Sequence, residues 1–187
     1  MSGIMDLWHA EHAKFGRLLG VLEAEIARFH EGEVPNYETI GDIVDYLREY
    51  ADAFHHPRED VAFDRLMIKD GAAGELVGRL RQEHRVIGEA GRALSEQLAE
   101  LAAGAVVPRS RIEAAAATYL TYYREHLQRE ERVAMPLIAA RFGDDDWCDV
   151  EAALTRGADP LFGDGVDARF HSLRKRLAHD LQAGSGS

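Results

Sequence analysis

Four stretches of this chain carry apolar residues in steps alternating between three and four, the repeat that lines one face of an α-helix in a bundle. The first runs over about 5–29, with a seam of Trp8, His12, Phe15, Leu19, Leu22, Ile26 and Phe29. The second begins near residue 38 and continues past 64, through Ile40, Val44, Leu47, Ala51, His55, Glu59, Ala62 and Leu66. The third covers about 74–103, through Leu76, Leu80, His84, Ile87, Gly91, Leu94, Leu98 and Leu101. The fourth covers about 111–141, through Ile112, Ala116, Tyr119, Tyr123, His126, Glu130, Val133 and Leu137. Each seam is interrupted by polar residues where apolar ones belong. The interruptions are His12, His55, Glu59, His84, His126 and Glu130.

Breakers separate the stretches. Gly32, Pro35 and Asn36 follow the first, Asp70-Gly71 the second and Gly104 to Pro108 the third. The pattern predicts an all-α, up-down four-helix bundle over residues 1–143. Pro57 falls inside the second stretch, where a proline removes a backbone bond and disfavours helical geometry before it. A kink is expected there, and Pro136 near the end of the fourth stretch is read the same way. Gly88 and Gly91 lower helix propensity in the third stretch, or let a neighbouring helix approach.

Residues 144–187 read as a short helical extension with a flexible tail. A small helix is expected over 147–156, with Asp144 to Asp146 as its cap. A second is expected over 166–182, with a stripe at Val166, Phe170, Leu173, Leu177 and Leu181. A lone helix of that length is marginal in water, so the stripe should pack on the bundle or on a second subunit. His171 and His179 lie off the stripe and read as surface residues. Gly184 to Ser187 read as the flexible tail.

Composition narrows the classes. With 46% apolar residues the chain can bury a core, and its net charge of −11 disfavours nucleic acid and anionic membranes as partners. A single cysteine, Cys148, excludes an internal disulfide and a cysteine-based zinc site. No apolar run approaches a membrane span, so a cytoplasmic location is expected.

The chain also repeats itself. Glu11-His12 opens one half and Glu83-His84 the other. Each half ends in H-x-x-R-E followed by an acid: His55 to Asp60 and His126 to Glu131. A duplicated helix pair builds a four-helix bundle, and a pseudo-twofold would set all four seam histidines at one depth. His and Glu at i and i+4 share a helix face. Any one of these residues alone reads as an ordinary core histidine or a surface pair. Together, two carboxylates and four imidazoles in a narrow core would cost several kcal/mol each if unpaired. A metal ion removes that cost, since neutral imidazole and ionised carboxylate are its ligands. Four His and two Glu suit two metals bridged by the carboxylates, and by an oxo or hydroxo group, with about one open position each. These ligands accept iron or manganese.

The E-H pairs, HHPRED at 55–60 and HLQREE at 126–131 resemble the hemerythrin-like, or HHE cation-binding, family over roughly residues 5–143. The resemblance implies a four-helix bundle with a non-haem di-iron centre. Its ligands would be His12, His55, His84 and His126, with Glu59 and Glu130 as bridging carboxylates. The family's oxygen carriers have a second histidine one turn after the third helix's ligand; here that position is Gly88. The departure points away from reversible oxygen carriage, toward the branch resembling bacterial proteins of iron-centre repair and nitrosative stress. His9 and His56 are further candidate ligands. Tyr119, Tyr122 and Tyr123 are candidates to shape the pocket or donate a proton.

Three readings follow. One is a di-iron protein that binds or reacts with a small diatomic ligand, O₂ or NO, or with peroxide. Another is an iron store or sensor in which metal binding controls folding and partner binding. The third is a helical scaffold whose polar seam only sets register.

Overall fold

The computed structural model describes residues 3–154 and 157–184, with side chains as far as Ala178. The described residues are helical and turn structure without strands. Helix α1 (Gly3–His30) is followed by a rod made of α2 (Tyr37–Tyr46), a π-helical segment (Leu47–His55) and α3 (His56–Lys69). Helix α4 (Gly74–Ala102) comes next. A second composite rod follows, made of α5 (Arg109–Arg129), a π-helical segment (Glu130–Ala134) and α6 (Met135–Arg141). The four rods pack as the expected bundle, α4 lying against α5 and α2, and α1 against α5 and α2. Connections this short force sequential rods to run antiparallel. Gly32 and Gly104, at φ of 79° and 85°, supply the left-handed turns that end α1 and α4. The Asn36 side chain caps α2 by accepting from the Thr39 N–H at 3.0 Å.

The proline problem is solved inside the helix. A proline ring presses on the carbonyl four residues back and offers no N–H. Each π-helical segment ends two residues before a proline, Pro57 or Pro136, and widens the ladder there. The His56 N–H donates to Ala51 O and the Met135 N–H to Glu130 O, five residues back in each case. Wide turns thus lie immediately upstream of Pro57, where a kink was expected.

These turns also set the register of the seam. A four-residue step overshoots an α-helical turn by about 40°. The buried positions Leu47, Ala51, His55 and Glu59 are successive steps of four, and so are His126, Glu130, Ala134 and Ile138. Without the π-helical turns the later members would rotate away from the core. The seam expected at Val133 and Leu137 is accordingly displaced by one residue. Val133 is exposed, while Ala134 and Ile138 are buried.

Two apolar clusters fill the bundle. The larger holds Phe15, Leu19, Leu22, Ile43, Tyr46, Leu94, Tyr119 and Tyr123. The smaller holds Met5, Trp8, Phe63, Leu66, Leu80, Met135 and Ile138. The polar seam residues lie between them. Gly91 permits close approach: a Cβ there would stand 3.0 Å from the Tyr119 ring, whereas one at Gly88 would meet only Asp52 Oδ2 at 3.7 Å.

The extension packs on the bundle. Helix α7 (Asp144–Ala153) starts earlier than expected. Its three aspartates form the first turn, where negative charge is favoured, and the Gly143 N–H donates to Asp146 Oδ2. Asp146 also meets Arg65 Nε and Lys69 Nζ, each at 2.6 Å. The expected stripe buries Phe170, Leu173 and Leu177 in the larger cluster, although the helix carrying it, α8 (His171–Gly184), begins later than Val166. Arg176 reaches the buried carboxylate of Glu25. His171 is exposed as expected. The side chains of His179 and Leu181, and residues 185–187 of the tail, lie outside the described residues.

Candidate metal centre

The six polar residues that interrupt the seams converge at one level of the bundle. From α1 and the second rod, His12 Nε2 and His55 Nε2 face each other at 2.9 Å. Glu59 Oε1 lies 3.2 Å from the first and 3.1 Å from the second. From α4 and the fourth rod, His84 Nε2 lies 3.7 Å from Glu59 Oε2 and 3.6 Å from Glu130 Oε1. His126 Nε2 lies 3.2 Å from Glu130 Oε2, which is also 3.5 Å from His12 Nε2. Both carboxylates therefore span two groups of imidazoles. The i, i+4 faces of His55–Glu59 and His126–Glu130 are intact despite the prolines.

The turn toward the centre has a common cause. Each of the four imidazoles presents Nε2 inward and has a carboxylate at Nδ1. Glu131 Oε1 is 2.8 Å from His12 Nδ1, Glu11 Oε2 is 2.7 Å from His55 Nδ1, Asp60 Oδ1 is 3.4 Å from His84 Nδ1, and Glu83 Oε2 is 3.3 Å from His126 Nδ1. A carboxylate bonded to Nδ1, as at His12, His55 and His126, fixes tautomer and ring orientation and leaves Nε2 as the lone-pair donor; the His84–Asp60 pair stands at ion-pair distance without a hydrogen bond. Arginines complete the pattern. Arg58 donates to Glu11 Oε1 at 3.3 Å, and Arg129 pairs with Glu83. Tyr50 donates its hydroxyl proton to Glu11 Oε1 at 2.5 Å.

The internal repeat thus has a physical meaning that its residue types alone did not disclose. In E-H, the glutamate orients the histidine of the next rod. In H-x-x-R-E-acid, the arginine anchors that glutamate and the final acid faces the E-H histidine of the other half, Asp60 toward His84 and Glu131 toward His12. Glu11, Glu83, Asp60, Glu131, Arg58 and Arg129 are positions around the centre missed by reading the seam alone, because most of them stand beside it. The signal for them was the recurrence of the whole motif.

The residues fit a cation. The Nε2 atoms of His84 and His126, Oε2 of Glu59 and both oxygens of Glu130 are buried without a hydrogen-bond partner. Unsatisfied polar atoms at that depth cost about 1–3 kcal/mol each, and a coordinated ion satisfies them together. In the metal-free chain, protons do part of this work. Burial opposes a charged ring, but Glu131, Glu59 and Glu130 raise His12 to about 10. Against the same burial, Asp60, Glu130 and Glu59 raise His84 to about 10. Glu59 is held well below the usual carboxylate range, against its burial, by His55 and His12. On one side Trp8, Phe63, Met135 and Ile138 wall the two carboxylates, with no space for a water molecule between. On the other, the Phe15 ring stands edge-on to His55 at 4.9 Å. The buried His/Glu cluster suggests metal binding.

The sequence profile of the hemerythrin HHE cation-binding domain matches residues 3–138. The chain belongs to that family. No curated protein and no solved structure matches it. The hemerythrin-like bundle brings together all six residues expected at its centre.

The two further histidines part company. His9 is exposed and bonds Glu131 at 2.8 Å, on the outer side of His12. His56 is buried and lies in one group with Glu59, His84 and His126. Among the tyrosines, Tyr122 is exposed. Tyr119 and Tyr123 are buried with unpartnered hydroxyls, and the Tyr123 ring stands 5.9 Å from His56. No helix of the described residues is long and apolar enough to cross a membrane.

Proposed function

We propose that this hemerythrin-like chain is a non-haem di-iron protein that binds or reacts with a small diatomic ligand, O₂ or NO, or with peroxide. His12, His55, His84 and His126 would be terminal ligands and Glu59 and Glu130 would bridge. The observation that carries this reading is the pair of carboxylates lying between two sets of inward Nε2 atoms. Bound iron would supply redox and ligand-binding chemistry. The chain's part is to hold the lone pairs inward through the Nδ1 carboxylates, and to keep water from the apolar wall beside Glu59 and Glu130. A cleft of about 470 Å³ between α1 and the fourth rod reaches His12 past Ala13, Gly16, Leu19 and Leu127, with His9, Arg124, Gln128 and Glu131 also lining it. The apolar residues on its path leave room for a small uncharged molecule. Imidazole and carboxylate accept manganese as well as iron. A cytoplasmic role in oxidative or nitrosative stress, or in repair of iron centres, fits such a site.

The test is anaerobic reconstitution with Fe(II), followed by metal analysis and absorption spectra under O₂, NO and peroxide. About two irons per chain are expected, as in other bundle-core carboxylate sites, with a new band under at least one of the three. Failure to retain iron, or a spectrum indifferent to all three, overturns the proposal. An iron sensor that folds only on metal binding would unfold on chelation. The protonated His12 and His84 give the metal-free core its own counter-charge, which weighs against that alternative.

A further inference from the structure

The two halves of the bundle repeat differ one residue past the first ligand of each H-x-x-R-E motif. His56 follows His55, whereas Leu127 follows His126. Under the pseudo-twofold, Leu127 lies toward His12, in the cleft that reaches it. His56 lies toward α4, with its ring 4.2 Å from that of His84 and 5.4 Å from that of His126.

The surroundings of His56 are like those of His84, whose Nδ1 also faces a carboxylate at ion-pair distance and whose Nε2 is also unpartnered. Its side chain is 4% exposed. Its Nδ1 stands 3.2 Å from Asp52 Oδ1, one turn earlier on the same rod. Its Nε2 is buried without a partner. A ligand atom of His56 lies within 4.8 Å of one from each of Glu59, His84 and His126. The space that Asp52 occupies is left open by α4, since at Gly88 a Cβ would come no closer than 3.7 Å to Asp52 Oδ2. Here the second rod fills that corner with Asp52 and His56.

We infer that His56 is a fifth imidazole ligand, oriented by Asp52, and that it completes the metal position formed by His84 and His126. This rests on the di-metal reading above. It makes the two positions unequal, with three imidazoles on the α4 side and two on the α1 side, beside the cleft. One structural change must accompany it. The His56 and His84 rings are now stacked, with planes 14° apart. An ion bound in the plane of one stacked ring lies outside the plane of the other. Ligation by both therefore turns one ring out of the stack.

Co(II) titration of the full chain tests this, followed by proton NMR of the loaded protein. Each imidazole bound through Nε2 shows one exchangeable, hyperfine-shifted Nδ1–H signal. Five such signals are expected in the wild type and four in His56→Leu, which copies Leu127. His56→Leu should also weaken one of the two Co(II) sites at least ~10-fold, the scale of lost metal-site partners, and leave the other unchanged. Asp52→Asn, which retains the ring, should keep five signals with one shifted. Four signals in the wild type, or a His56→Leu titration indistinguishable from wild type, overturns the inference and leaves the four-histidine centre standing. Wild-type protein that binds no Co(II) or Fe(II) overturns the di-metal reading itself.

Discussion

Glu11 offers the sharpest test of how the centre is held. It is 1% exposed and accepts from three groups: His55 Nδ1 at 2.7 Å, Tyr50 Oη at 2.5 Å and Arg58 Nη1 at 3.3 Å. Burial would raise its pKa, but His55, Tyr50 and Arg58 together hold it below the usual carboxylate range. Glu11→Gln keeps the shape and removes the charge. One oxygen remains for three donors, and the new amide group points donors at donors. A buried bond to a charged group is worth about 1.5–3 kcal/mol, so losing one and weakening another should cost about 2–3 kcal/mol of metal-free stability. For a chain of this size that is a fall in Tm of about 4–12 °C. Metal affinity should fall 10–100-fold, as it does when other carboxylates behind ligating histidines are removed. Glu83→Gln is the matched control. Its side chain is 16% exposed, so the stability loss should be smaller while the loss of affinity is similar. Calorimetric melting and Fe(II) competition with a chelator measure the two quantities. Glu11→Gln with reduced Tm and wild-type affinity would show that Glu11 supports the fold without orienting His55.

Four further outcomes follow. His12 and His84 hold protons to about 10 when folded, against 6.5 ordinarily. Their contribution to metal-free stability is present below about pH 6.5 and lost as pH rises through about 10, so Tm of the metal-free chain should drop between pH 7 and 10.5. The same protons must leave on metal binding, so calorimetry at pH 8 in buffers of different ionisation enthalpy should find about two released per centre; zero release would refute the protonated cluster. Gly91→Ala drives a Cβ to 3.0 Å from Tyr119 and should destabilise by about 1–3 kcal/mol, whereas Gly88→Ala meets only ordinary contact and should gain up to about 1 kcal/mol from helix propensity. Urea unfolding of the pair would refute the packing argument if both moved in the same direction. Arg176→Ala strips the extension's cation from Glu25, whose side chain is 0% exposed. The Asn36 N–H at 2.7 Å and the more distant Arg28 then remain to it, and a loss of about 2–3 kcal/mol is expected in the same assay.

The sequence by itself determined the helical bundle and the six residues at its centre. The reason is periodicity. A helix buries one stripe, so a polar residue inside the stripe must be satisfied in the core, and repetition of the same residues in both halves shows what they satisfy together. His12, His55, Glu59, His84, His126 and Glu130 were legible for that reason. The register beyond the centre was not. In the fourth rod Val133 and Leu137 yield to Ala134 and Ile138 because the π-helical turn upstream of Pro136 adds a residue to the spacing, and a strict helical repeat cannot anticipate that. Only the tertiary structure decided which carboxylate stands behind which imidazole. Glu11 serves His55 and Asp60 serves His84, across rods rather than along them. It likewise separated His56, turned into the core, from His9, turned to solvent. Both lie one turn or less from a centre histidine in sequence, and what distinguishes them is the neighbouring rod that each one faces.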